Sequence, residues 1–211
     1  MAAHIIAHHP PNRRCLVAIA GPPGAGKSTL SFKLSEQINS LSYECCVVPM
    51  DGFHLDNRVL IELGLLNRKG AINTFDSAGF VDTVKRIRSS NIEVVVPVFD
   101  RDRDIAIAGA QRVQPTSSVI LFEGNYLLVN ELPWSELKEL FDISIFINPD
   151  LNTIEQRILE RWRHAELSQD QIEKRTYEND LPNAEYVVSK SDFSDSIQLD
   201  PAINPCQFLL P

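Results

Sequence analysis

Short apolar runs alternate along the chain with longer segments of helical periodicity. Five runs rich in Val, Ile and Phe are typical of buried strands, and they span residues 15–20, 45–50, 94–98, 119–122 and 143–147. Apolar residues recur every three or four positions in the segments 28–41, 80–87 and 151–162, which predicts helices there. The alternation of the two patterns predicts an α/β fold with a mostly parallel sheet.

The two chain ends lack such periodicity. We expect residues 1–14 to form a flexible N-terminal segment and residues 15–211 to form a single domain. Residues 192–211 mix proline with polar residues before an apolar end at 208–210, which predicts an irregular tail that docks its last residues. Five prolines fall at or near the edges of the predicted elements, at Pro97, Pro115, Pro133, Pro149 and Pro182.

The composition is that of a globular protein with an acidic surface. Of the 211 residues, 44% are hydrophobic and 23% are charged, and the formal net charge is −8. Nucleic acids and anionic membranes normally bind basic surfaces, so this charge argues against both as partners. No apolar run reaches the roughly 18 residues of a membrane span, and the N-terminal segment lacks the apolar core of a signal peptide. We therefore expect a cytoplasmic location.

Cysteine and histidine positions give little sign of a metal or disulfide framework. The four cysteines show no C-x-x-C spacing, and Cys45 and Cys46 lie inside a strand-like run, which indicates reduced, buried thiols. His4, His8 and His9 lie close together beside two prolines. Metal capture there is one interpretation, but without other nearby ligands a frayed terminus is the favoured one.

Residues 21–28, Gly-Pro-Pro-Gly-Ala-Gly-Lys-Ser, match the phosphate-binding pattern G-x-x-x-x-G-K-[ST] between a predicted strand and a predicted helix. A chance match in a glycine-rich turn is the alternative, and the placement argues against it. Glycines let backbone N–H groups approach phosphates, and the helix N-terminus adds partial positive charge. Lys27 would neutralise the β- and γ-phosphates, while the Ser28 hydroxyl would bind magnesium. The predicted nucleotide site comprises Gly21, Gly24, Ala25, Gly26, Lys27, Ser28 and Thr29.

Two acidic residues directly follow predicted strands. Asp51 comes after the run 45–50, and Glu123 comes after the run 119–122. Ligands of open parallel sheets lie at the carboxyl ends of the strands, where a carboxylate can accept a proton from an attacking hydroxyl or hold magnesium. The alternative is a plain turn, since Asp51-Gly52 is a strong turn signal by itself. For both Asp51 and Glu123 we favour a role in the reaction over a purely structural role in a turn.

Three arginines lie on the predicted helix 151–162 and its end. Arg157 and Arg161 share a face at a spacing of four, while Arg163 points elsewhere. Nearby glutamates make a solvated helix face the ordinary interpretation. A phosphotransferase, however, needs cations over the transferred group, and guanidinium geometry suits phosphate oxygens.

Several motifs in order make the chain resemble the P-loop kinases that include uridine kinase, phosphoribulokinase and bacterial pantothenate kinase. The resemblance covers roughly residues 15–188 and implies a three-layer fold of about five strands with helices on both faces and a helical lid at about 151–180. The segments 51–57 and 123–128 look most like a bacterial branch labelled as kinases of fructose transport systems, or loosely fructokinases. Besides the P-loop and the arginine-bearing helix, the motifs are Met50-Asp51-Gly52-Phe53-His54, Thr74-Phe75-Asp76, Val96-Pro97-Val98-Phe99-Asp100 and Leu121-Phe122-Glu123-Gly124.

The resemblance implies ATP and Mg²⁺ as cofactors and a role for each site residue. Asp51 would be the catalytic base, Ser28 and Glu123 would form the magnesium site, and Arg161 and Arg163 would close over the phosphates beside Lys27. The acceptor would be a small hydroxylated molecule, contacted by His54, Asp76, Phe99, Asp100 and Arg101.

Position 99 bears on the identity of the acceptor. Uridine kinases commonly carry a tyrosine in Pro-x-Tyr-Asp, whereas this chain has Phe99 and lacks that hydroxyl. We therefore expect a sugar or sugar derivative, with a nucleoside or pantothenate as the alternative. The alternating charges of residues 101–104 fit either a polyol or sugar phosphate contact or an exposed loop. A homodimer is also left open.

Two other classes of protein share a P-loop. A GTPase switch or metal-delivery NTPase needs Asn-Lys-x-Asp or clustered ligands, and the nearest string, Ser189-Lys190-Ser191-Asp192, starts with serine. A non-catalytic nucleotide-binding module is the second, and the joint presence of Lys27, Ser28, Asp51 and Glu123 argues against it.

Overall fold

The computed structural model describes residues 1–165 and 167–199. Its main sheet contains five strands in the order β2-β5-β1-β6-β7, and every neighbouring pair is parallel. A second sheet is an antiparallel hairpin of β3 and β4. The strands are Cys15–Ala20 (β1), Cys45–Pro49 (β2), Val94–Asp100 (β3), Ile105–Val113 (β4), Val119–Gly124 (β5), Ile143–Ile147 (β6) and Ile197–Leu199 (β7).

α-Helices lie between β1 and β2, between β2 and β3 and between β6 and β7, and the predicted α/β class is confirmed. A π-helical turn spans Thr176–Asp180, and short 3₁₀ turns span Met50–Phe53, Leu66–Arg68, Ile72–Thr74 and Trp134–Leu137. None of the helices in the described part of the chain is long and apolar enough to cross a membrane. The α-helices in that part are Ala2–Ala7 (α1), Lys27–Ser40 (α2), Asn57–Glu62 (α3), Ser77–Ser89 (α4), Leu151–Arg163 (α5), Gln169–Arg175 (α6) and Leu181–Lys190 (α7).

Strand β1 lies at the centre of the core and is buried on both faces. Leu16 and Ala18 belong to the hydrophobic cluster that contains Phe80 of α4. Val17 and Ile19 belong to the other large cluster, which contains Leu34 of α2. Alternate side chains of a strand point to opposite faces, so β1 separates two helical layers. This arrangement explains why the sequence shows β1 as an unbroken apolar run.

The strand predicted at residues 94–98 does not join the main sheet, which corrects its predicted place. It forms the hairpin with β4 instead, and the register shifts between Val96 and Val98, on either side of Pro97. Proline has no N–H to donate, which disfavours a central position in a sheet. Strand β4 was not predicted, because its sequence IAIAGAQRV lacks the bulky apolar alternation of a typical strand.

The fifth strand of the main sheet comes from the predicted irregular tail. Within residues 192–199, Ile197–Leu199 pair with β6, so the expectation of irregular structure is wrong there. Three residues are too few to show a periodicity, and only the neighbouring strand determines their conformation. The apolar end at 208–210 and Cys206 lie outside the described residues.

Part of the N-terminal segment, which was expected to be flexible, is helical. Residues 2–7 form α1, in which Ala2 and Ile5 lie on one face and are buried against the cluster of α2. Arg14 is buried as well, and its guanidinium donates to the carbonyl oxygens of Ile87 and Gln114. The spacing of Ala2 and Ile5 was too short a pattern to predict a helix.

Candidate active site

The phosphate-binding loop connects β1 to the N-terminus of α2. Gly26 caps α2 with a φ of 94°, a left-handed conformation that glycine adopts without a steric penalty. The loop therefore turns directly into a helix of 14 residues, whose first N–H groups and partial positive charge favour a bound phosphate. The structure thus places the predicted motif in the context that its chemistry requires.

Lys27 is buried within this loop. Its Nζ donates to the carbonyl oxygen of Pro22 at 2.9 Å. Burial lowers the pKa of Lys27 to about 8, although the nearby carboxylates of Glu123 and Asp51 act in the opposite direction. The lysine therefore bonds to its own loop, and its proton is held more weakly than that of an exposed lysine.

Ser28 and Glu123 meet at the same edge of the sheet. The Ser28 hydroxyl donates to Oε1 of Glu123 at 3.1 Å. Glu123 pairs in register with Ile19 of β1 and Pro49 of β2, so the parallel sheet brings its side chain beside the P-loop. Burial and the proximity of Asp51 raise the pKa of this carboxyl. Because both side chains offer oxygen donors, the pair fits the ligand preference of magnesium.

Asp51 lies in the 3₁₀ turn that follows β2, so its Asp-Gly pair is a turn as well as a candidate site. A Cβ at Gly52 would lie 2.5 Å from the Pro97 carbonyl oxygen, and only glycine allows the turn to approach the hairpin so closely. That approach lets Arg101, at the end of β3, donate to Oδ2 of Asp51 at 2.6 Å.

Two aromatic rings pack around a histidine next to Asp51. The His54 imidazole lies between Phe75 and Phe99, with ring centroids 4.1 and 4.5 Å away. Its Nδ1 donates to the backbone oxygen of Asp51 at 2.7 Å. Burial is the main cause that lowers the pKa of His54. The imidazole therefore favours its neutral form and is held in place beside the candidate base.

The other two predicted acceptor residues make local bonds. Asp76 is the N-cap of α4, and its Oδ1 accepts from the backbone N–H of Gly79 at 2.9 Å. Asp100 accepts from the backbone N–H of Arg103 at 2.9 Å and from its guanidinium. Both carboxylates thus hold the backbone of their own elements, which are the start of α4 and the loop of the β3–β4 hairpin.

Lys69 was missed by the sequence reasoning, since it belongs to none of the recognised motifs. Its Nζ lies 5.1 Å from the centroid of the Phe99 ring. The same nitrogen donates to Asn57 Oδ1 at 2.7 Å and pairs with Asp104 at 3.0 Å. Lys69 thereby joins the segment after α3 to the tip of the hairpin.

The three arginines of α5 have three different environments. Arg157 donates to the carbonyl oxygens of Gly24 and Ala25 at 3.2 and 3.3 Å, so it supports the P-loop directly. Arg161 pairs with Asp180 at 3.0 Å, and Arg163 is exposed at the end of the helix. Arg157 was not among the predicted site residues, although its spacing of four from Arg161 was the available signal.

Comparison with known proteins identifies the family. The sequence model of the phosphoribulokinase and uridine kinase family matches residues 16–198. The chain belongs to this family. It is therefore an ATP-dependent small-molecule kinase, as the P-loop and its carboxylates indicate. Membership in a kinase family does not support the GTPase switch, the metal-delivery NTPase or the non-catalytic module.

Individual relatives are similar in sequence to this protein over most of its length. A protein provisionally named a uridine kinase from Schizosaccharomyces pombe is 31% identical over 83% of this chain and 78% of its own length. The uncharacterised protein YggC of Escherichia coli K12 is 33% identical over 86% of this chain and 76% of its own length. The solved structure of a provisionally assigned fructose transport system kinase from Silicibacter sp. TM1040 is 39% identical, covers 94% of this chain and 96% of that one, and has a TM-score of 0.86.

Proposed function

We propose that this enzyme transfers the γ-phosphoryl group of Mg-ATP to a hydroxyl of a sugar or sugar derivative. The observation that carries the proposal is the convergence of Lys27, Ser28 with Glu123, and Asp51 at one edge of the sheet, next to a wall of His54 and Phe99. A nucleotide on the P-loop would meet the acceptor at this edge.

In this proposal the nucleotide end of the site holds and neutralises the phosphates. The backbone of residues 24–28 and the Lys27 ammonium would bind the phosphate oxygens, and Arg157 would keep the loop carbonyls in place. Ser28 and Glu123 would hold a magnesium ion, which spreads the negative charge of the transferred group. Residues 1–165 and 167–199 contain no cluster of three or more His, Cys, Asp or Glu side chains that could hold a metal. Phosphate oxygens and water would therefore supply its other ligands.

Asp51 would accept the proton of the attacking hydroxyl. Arg101 donates to one carboxylate oxygen of Asp51 at 2.6 Å. When the acceptor binds, either this ion pair would open or the acceptor hydroxyl would bond to the other carboxylate oxygen. Phosphoryl transfer depends mainly on positioning and charge neutralisation, and the base contributes when the proton leaves.

The choice of a sugar acceptor rests on two supports. Phe99 stands where uridine kinases commonly carry a tyrosine, so that hydroxyl is missing. The relative from Silicibacter is provisionally described as a fructose transport system kinase. The provisional name of the Schizosaccharomyces pombe relative favours a nucleoside as the second candidate.

An acceptor screen tests the proposal. Purified enzyme with Mg-ATP would be offered ketoses, aldoses, sugar phosphates, uridine, cytidine, pantothenate and glycerate, and ADP release would be measured with and without each. We expect turnover with at least one sugar or sugar derivative, and phosphorus NMR should show a new phosphate ester. Turnover of uridine or cytidine without any sugar would overturn the acceptor class.

A further inference from the structure

A π-helical turn, Thr176–Asp180, bonds both to α5, the helix of the predicted lid, and to the backbone of Lys69, which borders the proposed acceptor site. Such turns are rare and are found frequently at functional sites. The sequence gives one reason for it: Pro182 has no N–H, so the Glu178 carbonyl lacks its usual partner four residues later. Arg68 donates to that carbonyl instead. The turn is therefore fixed by a bond from a distant segment.

The lid side of the turn is held by Asp180. Its Oδ2 accepts from the Trp162 indole N–H at 2.7 Å and from the Arg161 guanidinium at 3.0 Å. Arg161 and Arg175 also lie over the Trp162 ring, at 4.5 and 4.8 Å from its centroid. One carboxylate thus fixes both the indole and the lid arginine.

Asn179, which precedes Asp180, bonds the turn to the segment around Lys69. Asn179 Nδ2 donates to the Lys69 carbonyl at 2.9 Å. Arg68 additionally donates to Asn183 Oδ1 at 3.2 Å. Because the Lys69 side chain lies over Phe99, the turn is connected to the aromatic wall of the proposed acceptor site.

We propose that Asp180 and Asn179 are paired positioning residues: Asp180 orients Arg161 toward the phosphates, and Asn179 fixes the Lys69 segment, so that one turn couples the lid to the acceptor side. This inference rests on the proposed function.

The negative charge of Asp180 indicates that this residue has a role beyond filling space in the turn. Asp180 is only 7% exposed, and burial raises its pKa. An asparagine of the same size would bond to Trp162 without the cost of burying an ionised group. The carboxylate is therefore matched to the cation of Arg161. The positive charge of Arg161 also contributes to lowering the pKa of Lys27 in the P-loop, so the two cations lie within electrostatic range of each other.

The first test uses Asp180→Asn, which keeps the hydrogen bond to Trp162 and removes the charge. We expect kcat to fall by about tenfold to a hundredfold, since small misplacements of a positioned group have effects of this size. The dissociation constant of Mg-ATP should change by no more than about threefold, and the melting temperature should be equal or higher. In an Arg161→Ala background, Asp180→Asn should have almost no further effect on kcat.

A matched control is Glu155→Gln. Glu155 accepts from the Tyr177 hydroxyl, so it bridges α5 to the same turn at an exposed position. Its substitution should leave kcat within about twofold of the wild type. The proposal is overturned if Asp180→Asn lowers kcat by the same factor with and without Arg161, or if it lowers the melting temperature and leaves kcat unchanged.

The second test uses Trp162 fluorescence and needs no acceptor for its first arm. Trp162→Phe serves as the blank, because the other tryptophan, Trp134, lies in the core. Asp180→Asn should shift the Trp162 emission of the free protein, and Mg-ATP should change that emission in the wild type. Unaltered emission in both cases would contradict the proposal even if no acceptor were ever turned over.

The acceptor arm uses Asn179→Ala. We expect the acceptor KM to rise several-fold while the KM of ATP stays within about twofold, because the lost bonds join Asn179 to Lys69 and Asn183 and none of them reaches the P-loop. Equal rises in both KM values would mean that Asn179 merely stabilises the fold. A wild-type enzyme that phosphorylates no acceptor would instead refute the proposed function, and the Mg-ATP fluorescence arm would still decide the role of Asp180.

Discussion

Arg101 donates to Asp51 across 2.6 Å, so the candidate base and a cation of the β3–β4 hairpin form one pair. The pair joins the turn after β2 to the end of β3, two elements that are distant in sequence. Arg101 is 64% exposed and Asp51 is 25% exposed, so solvent screens the interaction. The pair therefore contributes little to the free energy of folding. We expect it to affect the reaction with the acceptor instead.

Substitution of Arg101 should separate these two effects. We expect Arg101→Ala to lower kcat/KM for the acceptor by about tenfold, since the residue bonds to Asp51 and would border the proposed acceptor. The free energy of unfolding should change by less than about 1 kcal/mol, as for other exposed pairs. Steady-state kinetics and denaturant unfolding measure the two quantities.

The hairpin provides a matched control for that variant. Arg112 pairs with Glu93 and is 65% exposed, but it lies at the far end of the hairpin. Arg112→Ala should leave the kinetics unchanged. If both variants reduced kcat/KM equally, the effect would come from the hairpin as a whole.

Asp51→Asn tests the assignment of the base. The substitution keeps size and hydrogen bonding, so turnover should fall by about a hundredfold or more while Mg-ATP affinity stays within a few fold. Asp102→Asn, an exposed change in the hairpin loop, is the control. A collapse of ATP affinity would make Asp51 a metal ligand and Glu123 the better base candidate. If neither turnover nor ATP affinity changed, Asp51 would have no catalytic role and would only form part of the turn.

Arg157→Ala should loosen the P-loop. Arg157 bonds to the Gly24 and Ala25 carbonyls, so its loss should raise the dissociation constant of ATP by about fivefold to tenfold, or roughly 1 to 1.4 kcal/mol. Calorimetric titration with Mg-ATP measures this. The exposed neighbour Gln156 provides the control, and Gln156→Ala should have no effect. Wild-type affinity in Arg157→Ala would show that the loop holds its shape unaided.

The predictable part of the site is the part built from local sequence. The P-loop could be identified because glycines, Lys27 and Ser28 occur at fixed spacing between a strand and a helix. The positions of Asp51 and Glu123 followed from the rule that parallel strands present their carboxyl ends at one edge. In the structure Glu123 accepts a hydrogen bond from Ser28 and the charge of Asp51 acts on Lys27, whereas the catalytic roles of the two acids stay predictions.

The remaining features depend on contacts between distant segments. Asp180 meets Arg161 across 19 positions, and Lys69 reaches Asp104 across 35. No local pattern encodes such pairs. Strand β7 has three residues and α1 has six, so neither is long enough to show a period. In each case packing against a neighbour, rather than intrinsic propensity, determines the structure.

The buried environment of Lys27 predicts a pH dependence of nucleotide binding. Its pKa in the free protein is lowered to about 8, mainly by burial. Bound phosphates favour the charged form and should raise that pKa again. Below about pH 8 the lysine is protonated with and without ATP, so affinity should be nearly constant. Above about pH 8 the free lysine loses its proton and must regain it on binding, so affinity should fall as the pH rises.

Calorimetry in buffers of different ionisation enthalpy measures this proton uptake. We expect little uptake at about pH 7 and a substantial fraction of one proton at about pH 9. Lys27→Ala is the control, because it should abolish the uptake and raise the ATP dissociation constant at least about tenfold, or about 1.4 kcal/mol. Constant affinity and zero uptake over this range would show that Lys27 keeps its charge in the free protein. Unchanged affinity of Lys27→Ala at about pH 7 would remove the lysine from the nucleotide site altogether.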